Sequence, residues 1–442
     1  MYGFREKYDD PFDFPEDIMT GKVGAEMAEA IDYSGPWHRF NTTTDRIRQL
    51  AELRSPLEAA RLENVVSRLK QRVEKGSAFL FSLPTPNFCR VFLASAGEYR
   101  RLDIPLEKLK GLALALFEYQ RKTMRRPEFR SKLCEFETDY REVLSTITAF
   151  VEKDQVSELV VVSDYLTEVL TFLPTILASD KVRARIRDRK FVYRACPALW
   201  SEPLHPLKTG PCVFIHNCGE DLELAQSEIT MVRQATSDRE FGAVDLYFDD
   251  LNFSERPLSE ASILHLSTHC IPADSFADPM FVSTAAKPHK NSLWLESVQQ
   301  EASRLKLNLA FLNGCNTGTT SNRNYFKNFS TNEQVGIASA ILLNRRSAVV
   351  ATRWNVTETA AYVFSYLFYK RVNTELDSAI AFIVALTDLY DLSKARALEI
   401  IATIEHEESR RQRVEVLTAR PDFPFRDPYY LGLFQFCSLL VE

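Results

Sequence analysis

A cysteine and a histidine stand at equivalent places in two separate stretches of this 442-residue chain. Cys315 follows a short apolar run at 309–312 and then Asn313 and Gly314; His269 follows the run Ile263–Ser267 and then Thr268. Each run has the length and residue types of a strand. In an open α/β sheet the reacting groups lie past the carboxyl ends of parallel strands. Two such strands in one sheet would bring His269 and Cys315 to the same edge. A single cysteine is usually a small buried hydrophobe. A cysteine beside a histidine is a nucleophile with a proton carrier, able to attack a carbonyl and protonate the departing amine.

The elements that must position the pair follow from the pattern around it. The stretch 308–353 reads as strand, polar loop, helix at 333–343 and strand at 348–352, the unit of a parallel sheet. From 158 onward, strand signals at 159–162, 190–194, 212–215, 244–248 and 263–267 alternate with helical ones at 167–177 and 220–236, the latter carrying Glu228. After Trp354 the pattern predicts a helix with Asn355 as N-cap and Glu358 three residues on, then helices at 376–389 and 393–415. The apolar, aromatic YYLGLFQFCSLL near the end should return into the body as a strand. This alternation predicts an α/β fold, a mostly parallel sheet covered by helices on both faces.

A smaller helical and hairpin region should precede that sheet. Residues 1–44 are acidic, aromatic and proline-punctuated, as in an extended arm, and 56–75 carry helical periodicity that Gly76 can stop. Two strands at 77–82 and 89–94 flank the turn LPTPN. Helices at 106–123 and 128–150 follow, the second with a stripe through Phe129, Leu133, Phe136, Tyr140, Leu144 and Ile147. The expected division is 1–75 (arm and helix), 76–155 (hairpin and two helices) and 156–442 (the main sheet).

Composition narrows the function classes. Hydrophobic residues make up 45% and charged ones 26%, which fits a globular chain with a sizeable core. A net charge of -6 gives no support for direct nucleic-acid binding. No apolar window reaches membrane-spanning length, and MYGFREKYDD has no secretory h-region. Eight cysteines without a repeating spacing point to reduced thiols and a cytoplasmic setting. Cys212, His216 and Cys218 sit close together, but a structural zinc site needs four ligands and no second pair stands out. Neither a metal nor a cofactor is expected.

The segments THC at 268–270, NGCNTG at 313–318, EQVGIASAILLNRRSAVVATRWNV at 333–356 and LFYKRV at 367–372 resemble the CHAT family of peptidases, relatives of caspases and separase often fused to tetratricopeptide repeats. ELVVVSDYLTEVLTFLP at 158–174 and DPYYLGLFQF at 427–436 extend the likeness in the same order. The resemblance implies a caspase-like sheet and a cysteine endopeptidase acting on proteins through the dyad His269 and Cys315. It also implies an oxyanion hole from the backbone N–H groups of Cys315 and Cys270. Glycine usually follows the histidine in the family; Cys270 keeps the N–H but adds a second thiol that could oxidise against Cys315. Arginine-specific relatives carry an acidic residue just before the nucleophile, whereas here Asn313 lies two before it. Arg353, Trp354 and Asn355 end the next strand, where a substrate peptide could add as a further strand.

His265, four residues before His269, reads as a hydrogen-bonded core histidine. The long polar stretch 317–332 reads as a gate, with activation coming from a protein partner or upstream sensor through the N-terminal helices. Two other readings use the same residues: a catalytically silent interaction module of the same fold, and a cysteine-dependent acyl transferase.

Overall fold

The computed structural model describes residues 71–438, apart from 163–171, 196–209, 217–221, 246–257, 272–279, 283–291, 295–306, 318–336, 343–346 and shorter gaps at 85–86, 121–123, 223, 373 and 376. The first elements are three antiparallel strands, β1 (Ser77–Pro84), β2 (Phe88–Ser95) and β3 (Glu98–Pro105), then helices α1 (Leu106–Gln120), α2 (Arg126–Asp139) and α3 (Arg141–Val151). Next come β4 (Glu158–Val162), α4 (Leu173–Ala178), α5 (Asp180–Arg187), β5 (Val192–Ala195), β6 (Cys212–His216), α6 (Ala225–Ala235) and β7 (Phe241–Asp245). The site region comprises β8 (Ile263–Ser267), three short strands β9 (His269–Ile271), β10 (Met280–Val282) and β11 (Ser292–Trp294), then β12 (Leu309–Asn313), α7 (Ile337–Leu342) and β13 (Ala348–Thr352). Helices α8 (Glu358–Val372), α9 (Ser378–Tyr390), α10 (Lys394–Ile401), α11 (Glu407–Thr418) and α12 (Pro428–Leu431) lead to β14 (Phe434–Ser438).

One 11-stranded sheet runs through the molecule in the order β3-β2-β1-β4-β5-β14-β13-β12-β8-β6-β7. Strands β1, β4, β5 and β14 run parallel to one another, and so do β13, β12, β8, β6 and β7. The two blocks meet antiparallel at β13 and β14, with Val350 opposite Phe436. The returning strand expected from the apolar segment near 430 is therefore central. The sheet also runs without a break from β1 into β4, where Phe79 lies opposite Val160.

Apolar runs that alternate nothing need cover on both faces, and they have it. Along β12, Leu309 and Phe311 join a core shared with Phe364 and Phe368 of α8. Ala310 and Leu312, pointing the other way, join a second core with Ala338, Ile341 and Leu342 of α7. The mostly parallel, doubly covered sheet is as the residue pattern predicts.

Several boundaries differ from the pattern. Strand β3, EYRRLDIP, carries four charged residues and pairs only at the sheet margin, so its composition gives no strand signal. The stripe at 128–150 forms two helices because Tyr140 leaves helical geometry (φ -111°, ψ 23°) while its N–H still bonds Phe136 O. Periodicity survives the break and conceals it. The helix expected at 393–415 is likewise two, the second capped by His406, whose ring accepts from the Ser409 N–H. The cap of α8 is Thr357, whose hydroxyl accepts from the Ala360 N–H, and not Asn355, which is engaged elsewhere. Gly76 does end a helix, at φ +97°, with a position where a Cβ would lie 2.8 Å from Gln155 O. The arm at 1–44, most of the 56–75 helix and the start of the 167–177 helix lie outside the described residues.

Glu137 on α2 is half-buried, and burial, with the nearby Asp427 carboxylate, pushes its pKa up to about 7. A carboxyl with a raised folded-state pKa binds its proton more tightly folded than unfolded. It therefore destabilises the fold above its unfolded pKa, most fully above pH 7. Glu137→Gln should raise the melting temperature at pH 8, with the gain shrinking as pH falls from 7 toward 4.5. Melting curves of both proteins across that range test the sign; equal shifts at all pH values would refute the assignment.

Candidate functional site

Strands β8 and β12 are neighbours, parallel, and in register from Ile263 opposite Leu309 to Ser267 opposite Asn313. Each is followed after two residues by its chemical group, so His269 and Cys315 emerge at one edge. His269 opens β9, which pairs antiparallel with β10 through His269 opposite Val282 and Cys270 opposite Phe281. A separate small sheet therefore fixes the backbone of the histidine. Both dyad residues are half-buried, and Cys315 Sγ lies 3.8 Å from Val356 O.

The turn between β12 and Cys315 passes unusually close to the turn after β8. A Cβ at Gly314 would lie 2.6 Å from Thr268 O and 3.5 Å from Cys270 Cβ, so only glycine lets the two turns approach. On the other side of Cys315, Asn316 adopts φ +59°, a conformation asparagine tolerates better than most residues. Its side-chain NH₂ donates to Asn355 Oδ1 at 2.7 Å and its backbone N–H to Trp354 O at 3.3 Å. Thr317 donates to Leu312 O at 3.0 Å and accepts from the Thr352 N–H at 3.0 Å, while the Thr352 hydroxyl donates to Gly314 O. Cys315 is thus held by hydrogen bonds on both flanks.

Cys270 is buried among Leu264, Leu266 and Leu312, and burial, then the nearby Cys315, push its thiol well above the ordinary range. It stays a neutral thiol. Beneath the dyad lies a buried polar group. Glu228 of α6 accepts from Ser267 at 2.8 Å and from Asn313 Nδ2 at 2.6 Å, and its Oε1 lies 3.4 Å from His265 Nε2. Ser365 of α8 also bonds it. Burial pushes the Glu228 carboxyl upward, but the His265 ring and these hydrogen bonds outweigh it and leave the pKa lowered. His265 is a hydrogen-bonded core histidine, as its position suggested: it stacks between Phe214 (4.3 Å) and Phe311 (4.8 Å), with Nδ1 3.0 Å from the Tyr369 hydroxyl.

The residues expected to meet substrate all make hydrogen bonds within the chain. Asn313 turns inward to Glu228 and is buried. Trp354 is fully buried, donating to Tyr429 O at 3.1 Å and packing edge-on against Phe129. Arg353 is buried; its N–H donates to Leu433 O at 2.8 Å and its carbonyl accepts from Gln120 Nε2 at 3.3 Å. The Asn355 carbonyl accepts from the Tyr429 hydroxyl at 2.6 Å, and its side chain donates to Tyr119 O at 3.2 Å. The Arg353 N–H and the carbonyls of Arg353, Trp354 and Asn355 are thus bonded within the chain, and a substrate strand adding there would have to displace those partners. The stretch 318–336, which includes nearly all of the expected gate, lies outside the described residues.

Cys212 is fully buried, and burial pushes its thiol up to about 12; Cys218 lies outside the described residues. Among the described residues, no group of three or more His, Cys, Asp or Glu side chains could hold a metal ion. Nor is any of their helices long and apolar enough to cross a membrane.

The CHAT domain family matches residues 146–430 of this chain. The chain belongs to the CHAT family. No curated protein matches it. Among solved structures, it is similar to a chain of the Saccharomyces cerevisiae separase-securin complex, with 9% sequence identity and a TM-score of 0.44. That match covers 91% of this chain and 33% of the other, so this chain spans about a third of that chain's length.

The segments THC at 268–270 and NGCNT at 313–317 thus meet at one sheet edge. What the pattern did not reveal is the support around them: Glu228, Ser267, Asn316 and Tyr119. For Glu228 the signal was a carboxylate in the buried stripe of α6, with Ala225, Ile229 and Val232. For Ser267 it was a polar residue closing an otherwise apolar run. Gly314→Ala should lower reactivity of Cys315 by more than about tenfold, because the added methyl forces the two turns apart. Iodoacetamide alkylation of Cys315, followed by peptide mass spectrometry, measures this; an unchanged rate in a folded variant would show that the close approach does not matter.

Proposed function

We propose that this CHAT protein is a cysteine endopeptidase that cleaves protein substrates and is opened by a partner. The observation that carries the reading is the in-register pairing of β8 with β12, which ends at Ser267 and Asn313 and brings His269 and Cys315 to one edge. In the reaction, Cys315 Sγ attacks the scissile carbonyl while His269 takes the thiol proton. His269 then gives that proton to the leaving amine, and the thioester is hydrolysed by water. The N–H groups of Cys315 and Cys270 stabilise the oxyanion, each such donor contributing about 3 kcal/mol at the transition state. Cys270 takes part through its backbone alone, since its thiol is buried and neutral.

The bonded backbone at 353–355 favours a regulated enzyme. Gln120 and Tyr119 at the end of α1 occupy Arg353 and Asn355, so displacement of α1 by a protein partner would free groups for a peptide. A cytoplasmic location fits the reduced thiols such a site needs.

Cys315→Ala and His269→Ala should each abolish peptide cleavage, with melting temperatures within a few degrees of wild type, because both residues lie outside the packed core. Proteome-wide cleavage mapping of wild type against Cys315→Ala, with and without cell extract, gives the readout. Substantial cleavage by Cys315→Ala would move the active site elsewhere. An absence of cleavage and of labelling by a peptide acyloxymethyl ketone under every condition would favour the silent interaction module. Cys270→Gly should remain active, and a total loss would assign chemistry to that thiol.

A further inference from the structure

The buried Glu228 carboxylate touches the last residue of both strands that carry the dyad. Ser267 closes β8 two residues before His269, and Asn313 closes β12 two residues before Cys315. One carboxylate on α6 therefore ties the two strand ends together directly beneath the reacting groups. The whole cluster is sealed: Glu228, Ser267, Asn313, His265, Ser365 and Tyr369 are all buried. Holding a carboxylate there costs folding free energy, since a well-packed apolar group of the same volume is commonly as stable or more so. A charge kept at that cost in this place has a geometric use, because hydrogen bonds fix direction and distance where apolar contacts do not.

We propose that Glu228 is a positioning residue for the dyad, setting the separation of His269 and Cys315 by clasping Ser267 and Asn313. Glu228 touches neither reacting atom and transfers no proton. His265, stacked between Phe214 and Phe311 and bonded to Tyr369, holds the carboxylate from behind, so the clasp is anchored to β8 and α8 as well as α6. This proposal rests on the His269–Cys315 peptidase reading.

The test compares two buried serines, each with a hydrogen-bonding hydroxyl at a strand end. Ser267 acts at the carboxyl ends of β8 and β12, under the dyad. Ser347 bonds Leu307 O at 3.0 Å, at the opposite edge of the β12–β13 pair. Ser267→Ala and Ser347→Ala should lower the melting temperature to a similar degree. Only Ser267→Ala should slow iodoacetamide alkylation of Cys315 and kcat for peptide cleavage, by about tenfold, with KM little changed. Its alkylation pH profile should move toward that of a free cysteine, and Ser267→Thr, which keeps a hydroxyl, should restore it. Alkylation is read by peptide mass spectrometry because Cys134 is also exposed. If Ser267→Ala does not fold, Glu228→Gln is read in the same assay with the same expectation. A Cys315 rate and pH profile in Ser267→Ala equal to those of wild type and Ser347→Ala would overturn the clasp. A wild-type Cys315 with the pH profile of a free cysteine would count against the dyad itself, which is a different result.

Discussion

The two turns that leave β8 and β12 approach so closely that a single methyl group on Gly314 would strike the carbonyl of Thr268. That contact limits what the surrounding sequence can be. It requires the two strands to be adjacent, parallel and in register, because a slip of one residue would exchange the faces of every side chain in the strand. It also leaves Cys315 no freedom to drift along the edge. Cys315 is then fixed from its other side by Thr317, which bonds Thr352 at the end of β13, and by Asn316, which bonds Asn355 in the turn after it. The geometry needed for thiol chemistry thus comes from backbone packing first and side chains second.

Support for this edge comes from parts of the chain far away in sequence. Residues Tyr119 of α1 and Phe129 of α2 stack at 4.8 Å, and Phe129 packs edge-on against Trp354 at 5.4 Å. Aromatic pairs of this kind contribute about 0.5–1.5 kcal/mol each beyond the area they bury. The Tyr119 hydroxyl meets that of Tyr429 at 2.8 Å, and Tyr429 in turn holds the Asn355 carbonyl. Residues ahead of the matched 146–430 region therefore touch the same turn that binds Asn316 beside the nucleophile. Movement of α1 would therefore act on that turn, and through it on the backbone beside Cys315.

The 11-stranded sheet explains why this route exists. Two blocks of parallel strands run in opposite directions and join where β14 enters between β5 and β13. The block carrying β1 and β4 is continuous with the one carrying β8 and β12, so α1 and α2 pack onto the same body as the edge with His269 and Cys315. Burial on both faces makes the central strands stiff, and stiffness carries displacement rather than absorbing it.

The sequence by itself determined the kind of fold and singled out His269 and Cys315 as a pair that the fold brings to one edge. Uninterrupted apolar runs such as LAFLN and AVVAT can only be strands covered on both sides, and a histidine and a cysteine placed just past two of them can only meet at one edge if those strands are neighbours. The short segments around His269 and Cys315 were legible for the same reason, because turn geometry and chemistry are local. Tertiary structure decided the rest. Asn313, Arg353 and Trp354 are polar or amphipathic residues at strand ends, where composition cannot tell an inward-facing side chain from one that meets a substrate. Their partners, Glu228, Gln120 and Tyr429, lie between 75 and 233 residues away along the chain, and only packing brings them together. A hydrogen bond across such a distance leaves no periodicity in the sequence, so the supports of the site became visible only once the sheet had closed around them.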